Sequence, residues 1–300
     1  MNYIYKAFGL IIQSKFPLPE LASGNGTPDV FIMMGTVPEN LDGIYHSGLR
    51  FQASPEAFLL NVENVGRYLV KNGKTIIVEK QGESSIGDIR LFLLGSAFAA
   101  LIHQRKFLPL HGSAVKVENH CVIFCGGSGA GKSTLAAGLM KKGFSLLADD
   151  ACVISFTESN IPMVYPGYPQ IKLWKDSLKK LGTDISELKK LRESLEKFGL
   201  PVKNNFFNES LPLKQIYILN TTNNLGFEIK QVKGFDKFKT LKNHTYRVNF
   251  VKGLQTMQTH FQLVNKLASL VEVKRLYRTN TNFSIDNLVD FVIEDIIKNV

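Results

Sequence analysis

Gly126-Gly127-Ser128-Gly129-Ala130-Gly131-Lys132-Ser133 fits the pattern G-x-x-x-x-G-K-[ST] at every position. Glycines let the backbone wrap closely, so that successive N–H groups point at phosphate oxygens. Lys132 would neutralise the β- and γ-phosphates, and the Ser133 hydroxyl can ligate Mg²⁺. Thr134 follows, opening a helix whose N-terminal dipole adds to the attraction. The flanks fit as well. An apolar run, Cys121–Cys125, reads as a strand before the loop, and Ser133–Lys142, rich in Leu and Ala, reads as a helix after it, with Gly143 placed as its C-cap. The residues Gly126 to Thr134 are therefore predicted to bind a nucleotide, with ATP and Mg²⁺ as the expected ligands. A purely structural Gly-rich turn would not need the Lys-Ser pair at this register.

Working outward, a strand-like run Phe144–Ala148 is followed at once by Asp149-Asp150. Ending a parallel strand adjacent to the P-loop strand, the two carboxylates would stand beside the metal and the γ-phosphate. One can hold the metal while its neighbour accepts a proton from an attacking hydroxyl. The plain alternative is a polar turn after a strand. His111 precedes a second strand-like run, Ser113–Val117. A lone His is usually structural, yet here it falls within about 40 residues of the other two elements. Transporter-type ATPases carry an LSGGQ-like signature, which is missing. The nearest approach to a guanine-reading Asn-Lys-x-Asp is Asn265-Lys266-Leu267-Ala268, which lacks the Asp.

With 300 residues, 33.5 kDa, 44% hydrophobic and 21% charged residues, the chain can bury a sizeable core in one or two domains. Cys121, Cys125 and Cys152 match no zinc or redox spacing and read as small buried hydrophobes in a reducing cytoplasm. The N-terminus lacks the features of a signal peptide. The longest apolar run, Leu91 to Ile102, reads as a buried helix too short to span a bilayer, so no membrane is expected. The net charge is +10, and residues 171–250 hold 16 Lys or Arg against 8 Asp or Glu. Such a face suits an acidic peptide or an anionic ligand, or is simply solvated. No RNA-binding motif, zinc finger or clear helix-turn-helix accompanies it, so nucleic acid is disfavoured.

Residues 1–105 read as a β-rich domain that ends in a helix from about Gly87 to Arg105. Its strand-like runs are Tyr3–Ile12, Val30–Met34, Phe58–Val62, Arg67–Val70 and Thr75–Glu79, and Asn72-Gly73 signals a hairpin. Residues 106–300 read as an α/β catalytic domain. Within it Lys175–Gly199 is predicted helical, Leu213–Leu219 a strand, and Asp286–Lys298 a terminal amphipathic helix.

Leu110-His111-Gly112-Ser113-Ala114-Val115, Gly126–Ser133 and Leu147-Ala148-Asp149-Asp150 together resemble the catalytic core of bacterial HPr kinase/phosphorylase. The resemblance implies a P-loop α/β fold related to phosphoenolpyruvate carboxykinase and phosphate transfer to a serine of a small phosphocarrier protein. It also implies His111 and Asp149 as the acid/base pair, Ser133 and Asp150 at the metal, and Lys132 on the phosphates. Assembly as a ring-like homo-oligomer is implied too. The family's downstream Glu-x-Arg-Gly-x-Gly signature is replaced by Tyr165-Pro166-Gly167-Tyr168-Pro169-Gln170-Ile171-Lys172-Leu173-Trp174. With Tyr5-Lys6-Ala7-Phe8-Gly9-Leu10 and Phe16-Pro17-Leu18-Pro19-Glu20-Leu21, the chain is similar to a divergent branch encoded with ribosomal peptide pathways. That branch includes kinases of the C-terminal serine of lasso-peptide precursors. There Lys203, Arg275 and Arg278 look like substrate or phosphate contacts. The expectation is an ATP-dependent serine kinase of a peptide or small protein. The alternatives are a non-catalytic ATP-binding regulatory module, or a kinase of an HPr-type phosphocarrier or a small molecule.

Overall fold

Asn72 and Gly73 take φ of 53° and 62° and join two antiparallel strands, the turn that Asn-Gly favours because both residues tolerate positive φ. The computed structural model describes residues 1–184, 186, 188–192, 195–279 and 284–298. Its first half contains β1 (Tyr3–Ala7), β2 (Leu10–Ser14), β3 (Ala22–Ser23), β4 (Val30–Met34), β5 (His46–Gly48), β6 (Phe51–Ala53), β7 (Ala57–Val62), β8 (Gly66–Lys71) and β9 (Thr75–Lys80). These form a sheet in the order β3-β1-β2-β4-β9-β8-β7-β6-β5. The predicted run Tyr3–Ile12 is two strands, because Phe8 and Gly9 at φ 57° and 75° turn the chain back on itself.

A continuous helical segment follows: α1 (Ile86–Phe92), a π turn Leu93–Ala97, and α2 (Phe98–Gln104). Ser85 caps it by accepting from the Asp88 N–H, and Asp88 sits in the first turn. At 19 residues this segment is long and apolar enough to cross a membrane, against the expectation of a shorter run. It is packed inside the molecule, however: Ile89, Leu93, Ala97, Phe98 and Leu101 are buried against Ile12, Phe58, Tyr68 and Ile76 of the sheet. Each of these Ile, Leu and Phe side chains contributes roughly 1.5–3 kcal/mol of burial.

The second half comprises β10 (Leu108–Val117), β11 (His120–Gly126), α3 (Lys132–Lys141), β12 (Ser145–Phe156), β13 (Pro162–Tyr165), β14 (Gln170–Trp174), α4 (Lys175–Lys180), β15 (Lys190–Arg192) and β16 (Leu195–Pro201). It continues with β17 (Leu211–Thr222), β18 (Phe227–Gln231), α5 (Gly234–Asn243), α6 (Phe250–Gly253), α7 (Met257–Leu270), β19 (Glu272–Thr279) and α8 (Ile285–Lys298). The main sheet runs β11-β10-β12-β13-β17-β19-β18, and β17 also pairs with β11, which closes the first five strands into a ring. α3 lies on this sheet with α8 against it. Gly138 permits the approach, since a Cβ there would stand 2.6 Å from Val289 Cγ2.

Three expectations are corrected. The stretch Lys175–Gly199 is not one helix: α4 ends at Lys180, just before Gly182 (φ 61°), and β15 and β16 follow. The reason is a period of two, not 3.6. Phe198 and Leu200 pair with Leu173 and Ile171 of β14 and share one core with them. Residues 185, 187, 193 and 194 of that stretch lie outside the described residues. Asp149-Asp150 do not end a strand either, because β12 runs on to Phe156. And β12 is not adjacent to the P-loop strand β11. Both are antiparallel to β10, which lies between them, so they are parallel to each other at one strand's remove.

The buried cluster around the first sheet also takes in Val153, Tyr168, Tyr246, Phe250 and Leu254 from the second half. All three cysteines are buried and unbridged.

Candidate active site

The loop after β11 turns with φ of 157° at Gly126, 78° at Gly129 and 100° at Gly131, the residue that caps α3. Gly129 and Gly131 are in the left-handed region where glycine is least strained. Lys132, buried at the start of α3, donates from Nζ to the carbonyls of Gly126 and Gly127, at 3.0 Å each. Burial lowers its pKa, against the attraction of Cys125, Asp149 and Asp150. Ser128, Gly129 and Gly131 to Thr134 line a cavity of about 70 Å³ together with His111, Asp150, Lys172, Trp174, Ser177 and Lys197.

The two aspartates take different partners. Asp149 Oδ1 accepts from Ser133 Oγ at 2.8 Å and Ser113 Oγ at 2.6 Å, while Oδ2 accepts from the Lys172 N–H at 2.8 Å. The carboxylate beside the P-loop serine is thus Asp149, where the expectation had Asp150. Asp150 takes φ 74° within β12, a strained value for a non-glycine residue that costs on the order of 1 kcal/mol. The local break in the pleat gives its carboxylate partners different from those of Asp149, and Asp150 lines the cavity. There it meets Lys172 Nζ at 3.0 Å, Tyr246 OH at 3.4 Å and His111 Nδ1 at 3.6 Å.

His111 is fixed from both sides. Its Nδ1 lies 2.9 Å from the Asp150 carbonyl, and its ring stacks on Tyr246 with centroids 5.5 Å apart. A carbonyl can only accept, so Nδ1 carries the hydrogen and the neutral ring presents Nε2 as an acceptor. Burial, and then the Lys132 charge, push the His111 pKa below its ordinary value, with Asp150 opposing. Burial alone would raise the Asp150 carboxyl, but Lys172, His111 and Lys197 outweigh it and hold the group well below the usual carboxylate range. Lys172 is buried as well, and Asp150 with Tyr168 and Tyr246 keeps its ammonium charged.

The three basic residues named from sequence separate. Arg278 Nη2 donates to the Ala130 carbonyl of the P-loop at 3.3 Å. Arg275 is three residues earlier on β19, and alternation along a strand puts it on the opposite face. Lys203 lies outside the phosphate cavity, at the rim of a neighbouring groove.

Sequence reasoning passed over Ser113, Lys172, Trp174, Lys197 and Tyr246 as site residues. Lys172 had a signal: a single lysine between the apolar Ile171 and Leu173 in a strand must find a counter-charge if buried. Tyr246 had none, since it arrives from about 100 residues downstream, through backbone bonds of Tyr246 N–H to Pro109 and of His111 N–H to the His244 carbonyl.

Residues 104–167, the segment that holds His111, the P-loop and both aspartates, match the family model of the HPr Serine kinase C-terminal domain. No curated protein matches the chain. Among solved structures, it is similar to the Hpr(Ser) kinase/phosphatase from Coxiella burnetii, at 13% identity and a TM-score of 0.32, over 64% of this chain and 88% of that one. The chain is HPr-kinase-like in this segment, and its mixed α/β architecture is consistent with an HPr-kinase-type fold.

Proposed function

We propose that the protein is an ATP- and Mg²⁺-dependent kinase that transfers the γ-phosphate to a serine hydroxyl of a peptide or small protein. The finer reading is a ribosomally made precursor peptide of the lasso type. The observation that carries the proposal is the division of labour around one cavity. Asp149 is bonded to the P-loop serine that lines it, while Asp150 and His111 line it as a separate pair. Mere nucleotide binding needs the first half of this arrangement but has no use for the second.

In this reading the loop amides and Lys132 hold the β- and γ-phosphates, and Arg278 supports the loop at Ala130. Ser133 and Asp149 would hold Mg²⁺, an all-oxygen set that suits a cation which keeps several waters and phosphate oxygens as its other ligands. The metal would neutralise charge developing on the phosphates. Asp150 orients the serine hydroxyl. As the serine oxygen bonds the γ-phosphorus and the bond to the β-phosphate oxygen breaks, the proton passes to Asp150, which His111 faces through Nδ1. This exchanges the two aspartate roles that the family resemblance implies. Phosphoryl transfer asks mainly for positioning and charge neutralisation, so a carboxylate held ionised by Lys172 suffices.

The same proposal includes the division at residues 105–106, a cytoplasmic location and a homo-oligomer. The unbridged cysteines support the location. The test is incubation with γ-labelled ATP and three acceptors: peptides ending in serine, an HPr-type phosphocarrier, and small alcohols. Phosphoserine on the peptide, absent with Lys132→Ala, is the expected result. Label on the phosphocarrier or the alcohol instead would move the substrate, and no transfer above Lys132→Ala to any acceptor would sink the kinase reading.

A further inference from the structure

A groove of about 510 Å³ opens between the two halves of the chain, next to the phosphate cavity. It is lined by Glu20, by Arg90, Leu91 and Leu94 of the long helix, and by Lys189 and Leu191 at and within β15. Arg192 of β15 closes on α1, with its guanidinium 3.5 Å from Asp88 and over the Phe92 ring. Lys172 lines both this groove and the phosphate cavity, and its ammonium is the one bonded to Asp150. A chain lying along the groove therefore ends its run at the carboxylate proposed to orient the acceptor.

We infer that this groove is the docking channel for the segment flanking the acceptor serine, and that the segment is an extended, acidic peptide. The inference rests on the kinase reading for the direction of the channel. Charge selects the occupant. Arg90 is matched by Glu20, Lys172 by Asp150 and Lys190 by Glu196. Lys189 and Lys203 are exposed at the rim, with no acidic group of the described residues paired to either. Among the described residues the rim carries excess positive charge beside leucines and prolines, which complements carboxylates carried on an apolar chain. Glu20 itself is occupied within the protein. Its Oε1 takes Arg90, while Oε2 is buried with no hydrogen-bond donor among the described residues.

The test measures binding apart from transfer. A fluorescein-labelled peptide with a serine next to three aspartates is titrated with the full-length protein by anisotropy, and mant-ATP is titrated separately. The double variant Lys189→Glu/Lys203→Glu should weaken the acidic peptide about tenfold or more, and leave mant-ATP within about twofold. A control pair on exposed α5, Lys239→Glu/Lys242→Glu, should leave the peptide unchanged, and replacing the aspartates by asparagine should abolish the difference. Equal peptide affinity for wild type and the groove variant, equal weakening by both pairs, or no binding to wild type would each overturn the channel. Peptide binding that depends on the groove lysines, with no transfer to this or any other acceptor above Lys132→Ala, would leave a peptide groove standing and remove the kinase reading.

Discussion

The Ser133 hydroxyl donates to Asp149 Oδ1 at 2.8 Å, tying the first turn of the P-loop helix to a strand that is not its neighbour in the sheet. The same carboxylate accepts from Ser113 on the strand between them and from the Lys172 N–H. Asp149 is thus a junction of four segments, and all of its bonds are accepted ones.

An Asp149→Asn substitution should expose that. An amide has one acceptor oxygen, and its NH₂ would face a donor, so at least one buried contact is lost. The expected cost is about 1–3 kcal/mol in urea unfolding. In activity the variant should need a higher Mg²⁺ concentration for half-maximal rate than wild type. An unchanged Mg²⁺ dependence would place the metal elsewhere.

The Lys172–Asp150 pair gives a pH prediction. The Asp150 carboxyl is held below its unfolded value, so its contribution to stability is present above about pH 4 and is lost as the pH falls through the folded value. Removing the cation by Lys172→Met leaves a carboxylate with its main counter-charge gone. The loss should be about 3 kcal/mol at neutral pH. The carboxyl then titrates higher, so the acid limb of kcat/KM should move to higher pH than in wild type. A limb that stays in place would separate Asp150 from the reaction.

The elements that were legible in the sequence are those whose signal is local. The glycines and the Lys-Ser pair of Gly126–Ser133 specify a loop that needs positive φ, and it is found where the pattern put it. Val30–Met34 appears with the expected bounds, and Asn72-Gly73 makes the expected hairpin. What was not legible depends on pairing across distance. The Lys-rich charge pattern of residues 175–199 looks helical by itself, and it becomes strands because β14 offers Ile171 and Leu173 as an apolar face. The split between the aspartates turns on the φ of Asp150 and on the arrival of Lys172 and Tyr246, none of which has a trace near Asp149-Asp150 in the chain.

Arg278 and Arg275 offer a comparison within one strand. Arg278→Ala should raise the KM for ATP about tenfold, because the guanidinium bonds the loop at Ala130. Arg275→Ala, on the other face of β19, should leave it within about twofold. Steady-state kinetics with ATP varied at fixed acceptor would decide, and equal effects would remove Arg278 from the loop's support.

Trp174 is the chain's one tryptophan, and it stands half-exposed at the phosphate cavity with Lys197 over its ring at 5.7 Å. Its emission should change saturably on titration with ATP-Mg²⁺, and the change should be lost in Lys132→Ala. An emission spectrum indifferent to ATP, in protein that binds mant-ATP, would place the nucleotide away from this wall.

The central claim is that Asp150 serves the acceptor hydroxyl, while Asp149 and the P-loop serve the nucleotide. Single-turnover transfer of γ-phosphate to a serine peptide, measured beside mant-ATP binding in wild type and Asp150→Asn, tests it most directly. The account predicts that transfer falls by about a hundredfold or more while nucleotide affinity stays within about threefold. Transfer at the wild-type rate by Asp150→Asn would contradict it.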